Sequence, residues 1–122
     1  MKHRKIGRKF NRNSSHRKMM LRNLSISIIR NEQIRTTIQK AKEIKRFIEP
    51  IINLSKKDTV HNRRIIFSKI RDNFIVSKLF NVIGPRLINY QGGYIRILKD
   101  SNRKGDSANM SYVQIVDFSL KN

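Results

Sequence analysis

The chain has 122 residues, with 28 Lys and Arg against 8 Asp and Glu, so its formal net charge is +20. The length suits one domain with a modest core, and the charge indicates a polyanionic partner, either a phosphate backbone or an anionic membrane surface. Because cysteine is absent, disulfides and thiolate chemistry are excluded. No apolar run approaches the roughly 20 residues of a membrane span, and no secretion signal is recognisable.

The N-terminal segment, residues 1–14, is predicted to be an extended basic arm. No acid precedes Glu32, and only Ile6 and Phe10 are apolar between Lys2 and Arg12. Like charges repel and cannot build a core, so an anion is expected to order the segment. Fully extended, it spans about 45 Å, well beyond the radius of gyration of about 14 Å of such a domain. Its candidate ligands for a polyanion, continuing into the first helix, are Lys2, His3, Arg4, Lys5, Arg8, Lys9, Arg12, Asn13, Ser14, His16, Arg17, Lys18 and Arg22.

One globular domain is predicted for residues 15–118, followed by a short tail, residues 119–122. Ser14 or Ser15 is expected to cap a first helix, whose apolar stripe is formed by Met20, Leu21, Leu24 and Ile28. The segment from Ile34 to Ile38 then alternates apolar and polar residues and is rich in β-branched side chains, which predicts a strand.

Three helices are predicted next. The first, from about Gln39 to Ser55, has an inner face of Ala41, Ile44, Ile48, Ile51 and Ser55, and Pro50 predicts a kink or a new first turn. Asp58 or Thr59 is expected to cap the second, with Phe67 and Ile70 in the core. Asp72 is expected to cap the third, which runs to about Val82. Its inward residues are Ile75, Val76, Leu79, Phe80 and Ile83, and Gly84 is expected to end it in a left-handed conformation.

Two strands complete the fold. Tyr94 to Lys99 and Ser111 to Phe118 are predicted to pair as an antiparallel hairpin, joined by a polar loop from Asp100 to Asn109. A loop of this length is uncommon unless it has a function, so Arg103 and Lys104 are either RNA contacts or part of an ordinary solvated loop. The predicted fold is a two-layer α+β domain with helices packed on a three-stranded sheet.

Catalysis is not supported by the residue pattern. The histidines are His3, His16 and His61, and the acids show no metal-ligand spacing. Gly-rich phosphate loops and nucleophile elbows are also missing. We therefore expect no enzyme, no cofactor, no metal and no small-molecule substrate.

Two other binding functions compete with RNA binding. The helices around Thr59 to Val82, joined by Arg71-Asp72-Asn73, are compatible with a helix-turn-helix or nucleoid-type DNA-binding protein. The second of them carries few base-reading side chains besides Asn73, Lys78 and Asn81, which counts against this. A membrane-surface or chaperone-like protein is disfavoured because no strongly amphipathic basic helix with large aromatics is present.

An ordered set of short motifs carries a family resemblance. After the basic arm come Ile34-Arg35-Thr36-Thr37, Lys40-Ala41-Lys42-Glu43, Glu49-Pro50, Asn62-Arg63-Arg64, Asp72-Asn73, Lys78-Leu79-Phe80, Gly84-Pro85-Arg86, Gly92-Gly93-Tyr94, Arg96-Ile97-Leu98-Lys99 and Gly105-Asp106. Together they resemble the bacterial large-subunit ribosomal protein number seventeen family over almost the whole chain.

The resemblance implies a structural constituent of the large ribosomal subunit in the cytoplasm, an organellar ribosome being the less favoured host. It implies binding of large-subunit ribosomal RNA (rRNA) near the polypeptide exit region, and docking against neighbouring ribosomal proteins. The implied arm contacts are Lys5, Arg8, Lys9, Arg12, His16 and Arg17. Arg63, Arg64, Arg96, Arg103 and Lys104 complete the expected RNA-binding set on the body.

Overall fold

The computed structural model describes residues 13–116, so the predicted arm up to Arg12 and the tail lie outside the described residues. In chain order the elements are α1 (Ser14–Asn31), β1 (Gln33–Thr37), α2 (Ile38–Ser55), α3 (Val60–Ile70), α4 (Asn73–Lys78), β2 (Ile95–Asn102) and β3 (Asn109–Ile115). Helix α4 continues into a π-helical segment (Leu79–Ile83) and a last α-helical turn (Gly84–Arg86). The predicted α+β class and element order are confirmed.

The strands form one antiparallel sheet in the order β1-β3-β2. Its register aligns Ile34 of β1 and Ile97 of β2 with Val113 of β3, and Val113 is fully buried in the core beside α2. Side chains alternate between the faces of a strand, so the next row, which includes Tyr112, belongs to the opposite face. The helical layer therefore packs on one face of the sheet.

The N-cap of helix α1 lies one residue before Ser14, the earlier of the two predicted caps. The expectation of Ser14 or Ser15 was wrong, because Asn13 is the N-cap and its side-chain oxygen accepts a hydrogen bond from the His16 backbone N–H at 2.8 Å. Asn and Ser are equally good caps, so residue preference alone did not separate them. The helix ends at Glu32, whose left-handed backbone (φ 63°) turns the chain into β1.

Helix α2 is the centre of the core, and its predicted inner face is confirmed. The predicted residues of that face are all buried, and Ile52 joins them. The helix continues through Pro50, so the expectation of a new first turn was wrong. Proline removes one backbone donor, and burial of the next two side chains, Ile51 and Ile52, favours continued helix. The strand before α2 also ends earlier than predicted, because Ile38 is the first residue of the helix.

The caps of α3 and α4 are confirmed. The Thr59 side chain accepts from the Asn62 N–H at 3.0 Å, and the Asp72 side chain accepts from the Ile75 N–H at 3.2 Å. The five apolar residues predicted to point inward from α4 and its continuation are buried. In α3, Ile66 and Ile70 are buried, whereas Phe67 is half-buried against the core.

Gly84 was wrongly expected to end the third helix in a left-handed conformation. Its φ is −55°, and helical structure continues to Arg86. Glycine is needed here because two helices approach each other closely. A Cβ at this position would collide with the Ser55 backbone carbonyl and lie 3.0 Å from the Leu79 carbonyl oxygen. Sequence reasoning found the right residue type and assigned it the wrong reason.

Replacing Gly84 with Ala is expected to lower the unfolding free energy by about 1–3 kcal/mol, the usual cost of overpacking. The backbone atoms of Ser55 cannot rotate away as a side chain would. Urea unfolding of the full chain measures the loss. Asn81→Ala, at an exposed position two residues after Leu79, is the control and should change stability by about 0.5 kcal/mol or less. Equal stability of Gly84→Ala and the unaltered chain would contradict the packing argument.

The predicted ten-residue loop is shorter in the structure. Strand β2 extends to Asn102 and β3 begins at Asn109, because the Arg103 N–H donates to the Ala108 carbonyl at 2.8 Å and closes the turn. The pairing is irregular between Lys99 and Asn102, which period-based reasoning cannot detect. Phe118, the predicted end of the second strand, lies outside the described residues.

A partly buried ion cluster joins the α1–β1 corner to the end of the α4 continuation. The Glu32 carboxylate accepts a hydrogen bond from Arg86 Nη1, and Lys78 Nζ lies 3.5 Å from its other oxygen. The side chains of Glu32 and Arg86 are 15% and 10% exposed. Among the described residues, Nε and Nη2 of Arg86 are buried without a hydrogen-bond partner. The Glu32 carboxylate therefore compensates the partly buried positive charge of Arg86.

Glu32→Gln is expected to lower the unfolding free energy at pH 7 by about 1.5–3 kcal/mol, the range for hydrogen bonds to charged groups. Hydrogen bonding from Arg86 lowers the pKa of Glu32 below its ordinary value of 4.5. A depressed folded-state pKa adds stability above the unfolded-state pKa, and that stability disappears as the pH falls through the folded-state pKa. The stability of the unaltered chain should therefore fall below about pH 4.5, and this fall should be smaller in the variant.

Urea unfolding at a series of pH values tests this expectation. Asp58→Asn is the control, since its pair with Arg63 is on the surface, with the Asp58 side chain 52% exposed, and water and salt screen an exposed pair. Identical pH profiles for Glu32→Gln and the unaltered chain would exclude the cluster as a source of stability.

Candidate nucleic-acid interface

The carboxylates of residues 13–116 are all engaged within the domain. The ion pairs join Glu32 to Arg86 and Lys78, Glu43 to Arg46, Asp58 to Arg63, Asp72 to Arg30, Asp100 to Arg35 and Asp106 to Arg103. Glu49 instead accepts a hydrogen bond from the Ile95 N–H at 3.4 Å. No described carboxylate is thus left to repel a polyanion without a positive or hydrogen-bonding partner beside it.

The surface pairs also fix the orientation of their arginines. Arg63 and Arg103 each bind their carboxylate through two nitrogens, with distances of 2.6 and 2.9 Å to Asp58 and of 3.0 and 2.5 Å to Asp106. The Arg103 guanidinium lowers the pKa of Asp106 to about 2, and the Arg63 guanidinium lowers the pKa of Asp58. Both pairs are therefore fully ionised at neutral pH.

A larger set of cations has no carboxylate within 4.0 Å in residues 13–116. The helical layer contributes most of them, and the hairpin contributes the last three. They are Arg17, Lys18, Arg22, Lys40, Lys42, Lys45, Lys56, Lys57, Arg64, Lys69, Arg71, Arg96, Lys99 and Lys104. This positive surplus is a property of the folded surface as well as of the N-terminal sequence.

The N-cap and first turns of α1 carry five of the predicted ligands. Ser14, His16 and Lys18 are exposed, and Arg17 is half-buried. The oxygen of the Asn13 side chain is used in capping, since it accepts from the His16 N–H and from Ser15 Oγ. Only the amide NH₂ of Asn13 is left to donate to a ligand. The first turn of α1 contains no acid, so its helix dipole adds to the positive field.

Arg22 lies where α1 meets α3. Its Nε donates to the Lys69 carbonyl at 3.0 Å, and a cavity of about 360 Å³ beside it is lined by Lys18, Arg22, Phe47, Ser68 and Lys69. The fold thus adds Lys69 to two cations of α1. Sequence reasoning missed Lys69 because the grouping depends on how α3 packs against α1.

The predicted ligands on the body lie on separate elements. Arg63 and Arg64 are on α3, Arg96 is on β2, and Arg103 and Lys104 are in the hairpin turn. Arg64, Arg96 and Lys104 are exposed, whereas Arg63 and Arg103 are held by aspartates. Lys2, His3, Arg4, Lys5, Arg8, Lys9 and Arg12 lie outside the described residues. Their role in RNA binding stays a prediction, as does that of the body residues.

The helix pair considered for DNA recognition is present, but its second helix is poorly suited to that role. Helix α4 directs Ile75 and Val76 into the core, and its outer surface carries Phe74, which is 66% exposed. A recognition helix needs polar donors and acceptors at that position. This geometry favours a packing function for α4.

The fold and the unpaired cations define a small basic α+β protein with a surface suited to a polyanion. A family model for ribosomal protein L17 matches residues 20–116. The chain belongs to the ribosomal protein L17 family, and it is a structural constituent of the large ribosomal subunit. This is a family of structural proteins rather than enzymes. Within residues 13–116, no helix has the length and apolar character needed to cross a bilayer.

Proposed function

We propose that this chain binds large-subunit rRNA through the basic arm, residues 1–14, and the unpaired cations of the body, residues 15–118, near the polypeptide exit region. The observation that carries the proposal is the charge arrangement of the described domain, in which every carboxylate has a partner and many cations have no carboxylate beside them. Residues 2–12 add six further Lys and Arg without an acid. Binding of such a surface to RNA is favoured because it releases counterions from the phosphates.

The chemistry of these side chains suits RNA. Arginine presents a planar fork that matches phosphate oxygens and stacks on bases, while lysine acts as a mobile point charge. Asn and Ser side chains can hydrogen-bond 2′-hydroxyl groups and base edges, which distinguishes RNA from DNA at such a site. The proposed location is the cytoplasmic ribosome, where neighbouring ribosomal proteins are the further partners.

Sedimentation of a cell lysate through a sucrose gradient tests the proposal. A tagged full-length chain is expected to travel with the large subunit and to leave it when the subunit is treated with ribonuclease. Insensitivity to ribonuclease would contradict RNA binding, and release by deoxyribonuclease from a chromosomal fraction would favour the DNA-binding alternative. Cross-linking of the tagged chain to a ribosome-bound nascent peptide tests the location at the exit region.

A further inference from the structure

An open groove lies between α3 and α4. It differs from the cavity beside Arg22, where α1 meets α3. It has a volume of about 520 Å³ and is lined by Val60, Arg63, Arg64, Phe67, Ser68, Arg71, Asn73 and Val76. Val60 is 67% exposed and Phe67 is half-buried. Exposed apolar side chains grouped in this way are typical of a binding surface.

Arginines lie around the apolar side chains of the groove. The guanidinium carbon of Arg63 lies 4.8 Å from the centre of the Phe80 ring, where Asp58 holds it. Arg71 ends α3 in a left-handed conformation (φ 59°), with its guanidinium carbon 5.8 Å from the centre of the Phe67 ring. Arg64 is exposed, and neither Arg64 nor Arg71 has a carboxylate within 4.0 Å in residues 13–116. The groove therefore combines an aromatic surface with two unneutralised arginines.

We propose that this groove binds an unpaired nucleotide of RNA, with its base on Phe67 and Val60 and its flanking phosphates on Arg64 and Arg71. The inference rests on the proposed function, that the chain binds rRNA, and it adds the form of RNA that this surface takes. Unpaired bases are the part of an RNA that stacks on aromatic rings and arginine planes. A double helix presents its phosphates and 2′-hydroxyls, for which an apolar floor offers no partner.

Charge complementarity separates the nucleotide from other occupants. A second copy of the chain also carries a formal charge of +20, and residues 2–12 are themselves basic, so the rim arginines repel both. A segment of another protein would need acidic residues opposite Arg64 and Arg71. An RNA strand supplies a negative charge and a flat apolar surface in each nucleotide.

A photoreactive phenylalanine analogue in place of Val60 tests the occupant in assembled large subunits. The cross-link is expected to join the chain to rRNA at an unpaired nucleotide. A cross-link to a ribosomal protein, to a base-paired helix, or to nothing would overturn the inference. Sucrose-gradient sedimentation distinguishes a failure of this inference from a failure of the proposed function. A chain that sediments with the large subunit but cross-links only to protein would contradict nucleotide binding in the groove and leave rRNA binding by the rest of the chain intact.

Binding of the full chain to a short single-stranded RNA containing 2-aminopurine tests the stacking contact directly. Phe67→Leu keeps an apolar side chain but removes the ring, and it should reduce fluorescence quenching and weaken single-strand binding about fivefold or more, given the usual strength of base–aromatic stacking. Binding to an RNA duplex of equal length should be unchanged. Quenching as strong as that of the unaltered chain would refute stacking on Phe67.

Arg64→Gln provides a second variant that leaves the core untouched, because Arg64 is exposed. Its matched control is Lys42→Gln, which removes the same charge from an exposed position on α2. Arg64→Gln should weaken single-strand binding more than Lys42→Gln does, and the two should be equal for the duplex. Equal losses on the single strand would show that Arg64 contributes only general charge.

Discussion

Phe80→Ala is expected to lower the unfolding free energy by about 3–5 kcal/mol, the range for removing a buried aromatic side chain. Phe80 is 4% exposed within the core cluster, and truncating it leaves a cavity that the surrounding isoleucines fill only in part. The ring also supports the Arg63 guanidinium, so its loss removes a cation–π contact of about 0.5–1 kcal/mol. Urea unfolding of the full chain, followed by circular dichroism, measures the change.

The matched control for this variant is Phe74→Ala. Phe74 begins the same helical segment but is 66% exposed, so its truncation should change stability by about 0.5 kcal/mol or less. A similar loss in the two variants, or a loss near zero for Phe80→Ala, would mean that Phe80 does not support the core. The pair thus tests the placement of α4 and its continuation, because the two phenylalanines are six residues apart on opposite surfaces.

Deleting residues 2–12 is expected to reduce the salt dependence of rRNA binding. With about eight phosphates neutralised, the slope of log K against log salt concentration for the intact chain should be about −6 on single-stranded RNA. The deletion removes Lys2, Arg4, Lys5, Arg8, Lys9 and Arg12, so the slope should become shallower by about 4. Between 50 and 200 mM salt, the intact chain should then lose affinity about 300-fold more than the deletion variant.

A chain of full length with Gln at those six positions separates charge from chain length. If the arm acts through its cations, this variant should have the same shallow slope as the deletion, while Lys42→Gln should change the slope by less than about 1. Filter binding to an rRNA fragment at several salt concentrations measures all the slopes. A deletion variant as salt-dependent as the intact chain would remove residues 2–12 from the binding mechanism.

Features that depend on near neighbours were predictable. Asp72 and the alternatives Asp58 or Thr59 were predicted as caps because a cap contacts the backbone three residues later, and the inner face of α2 followed from the helical period. The α+β class followed from the order of such segments. Residue preferences did not identify Asn13 as the N-cap of α1, because Asn and Ser cap a helix equally well. They also gave the wrong reason for Gly84, because glycine serves both left-handed helix ends and close helix packing.

The candidate interface was predictable only in its charge. The surplus of Lys and Arg is visible in the sequence, but the cations that a carboxylate from a distant part of the chain neutralises are not. Arg35 binds Asp100, which is 65 residues away, and Arg86 binds Glu32 across 54 residues. Lys69 and Arg71 were missed as candidate ligands because Lys69 lies beside cations of α1 and Arg71 lies beside Phe67 only in the folded chain.

The amino-acid sequence by itself determined the helices, the strands, the apolar faces and the positive surplus, since each depends on side chains within about one helical turn or on composition. The tertiary structure alone decided the strand order β1-β3-β2, the close approach at Gly84, the ion pairs of Glu32, Asp72 and Asp100, and the arginine-lined groove between α3 and α4. These features join residues on different helices and strands, and only the path of the folded backbone brings them within contact distance.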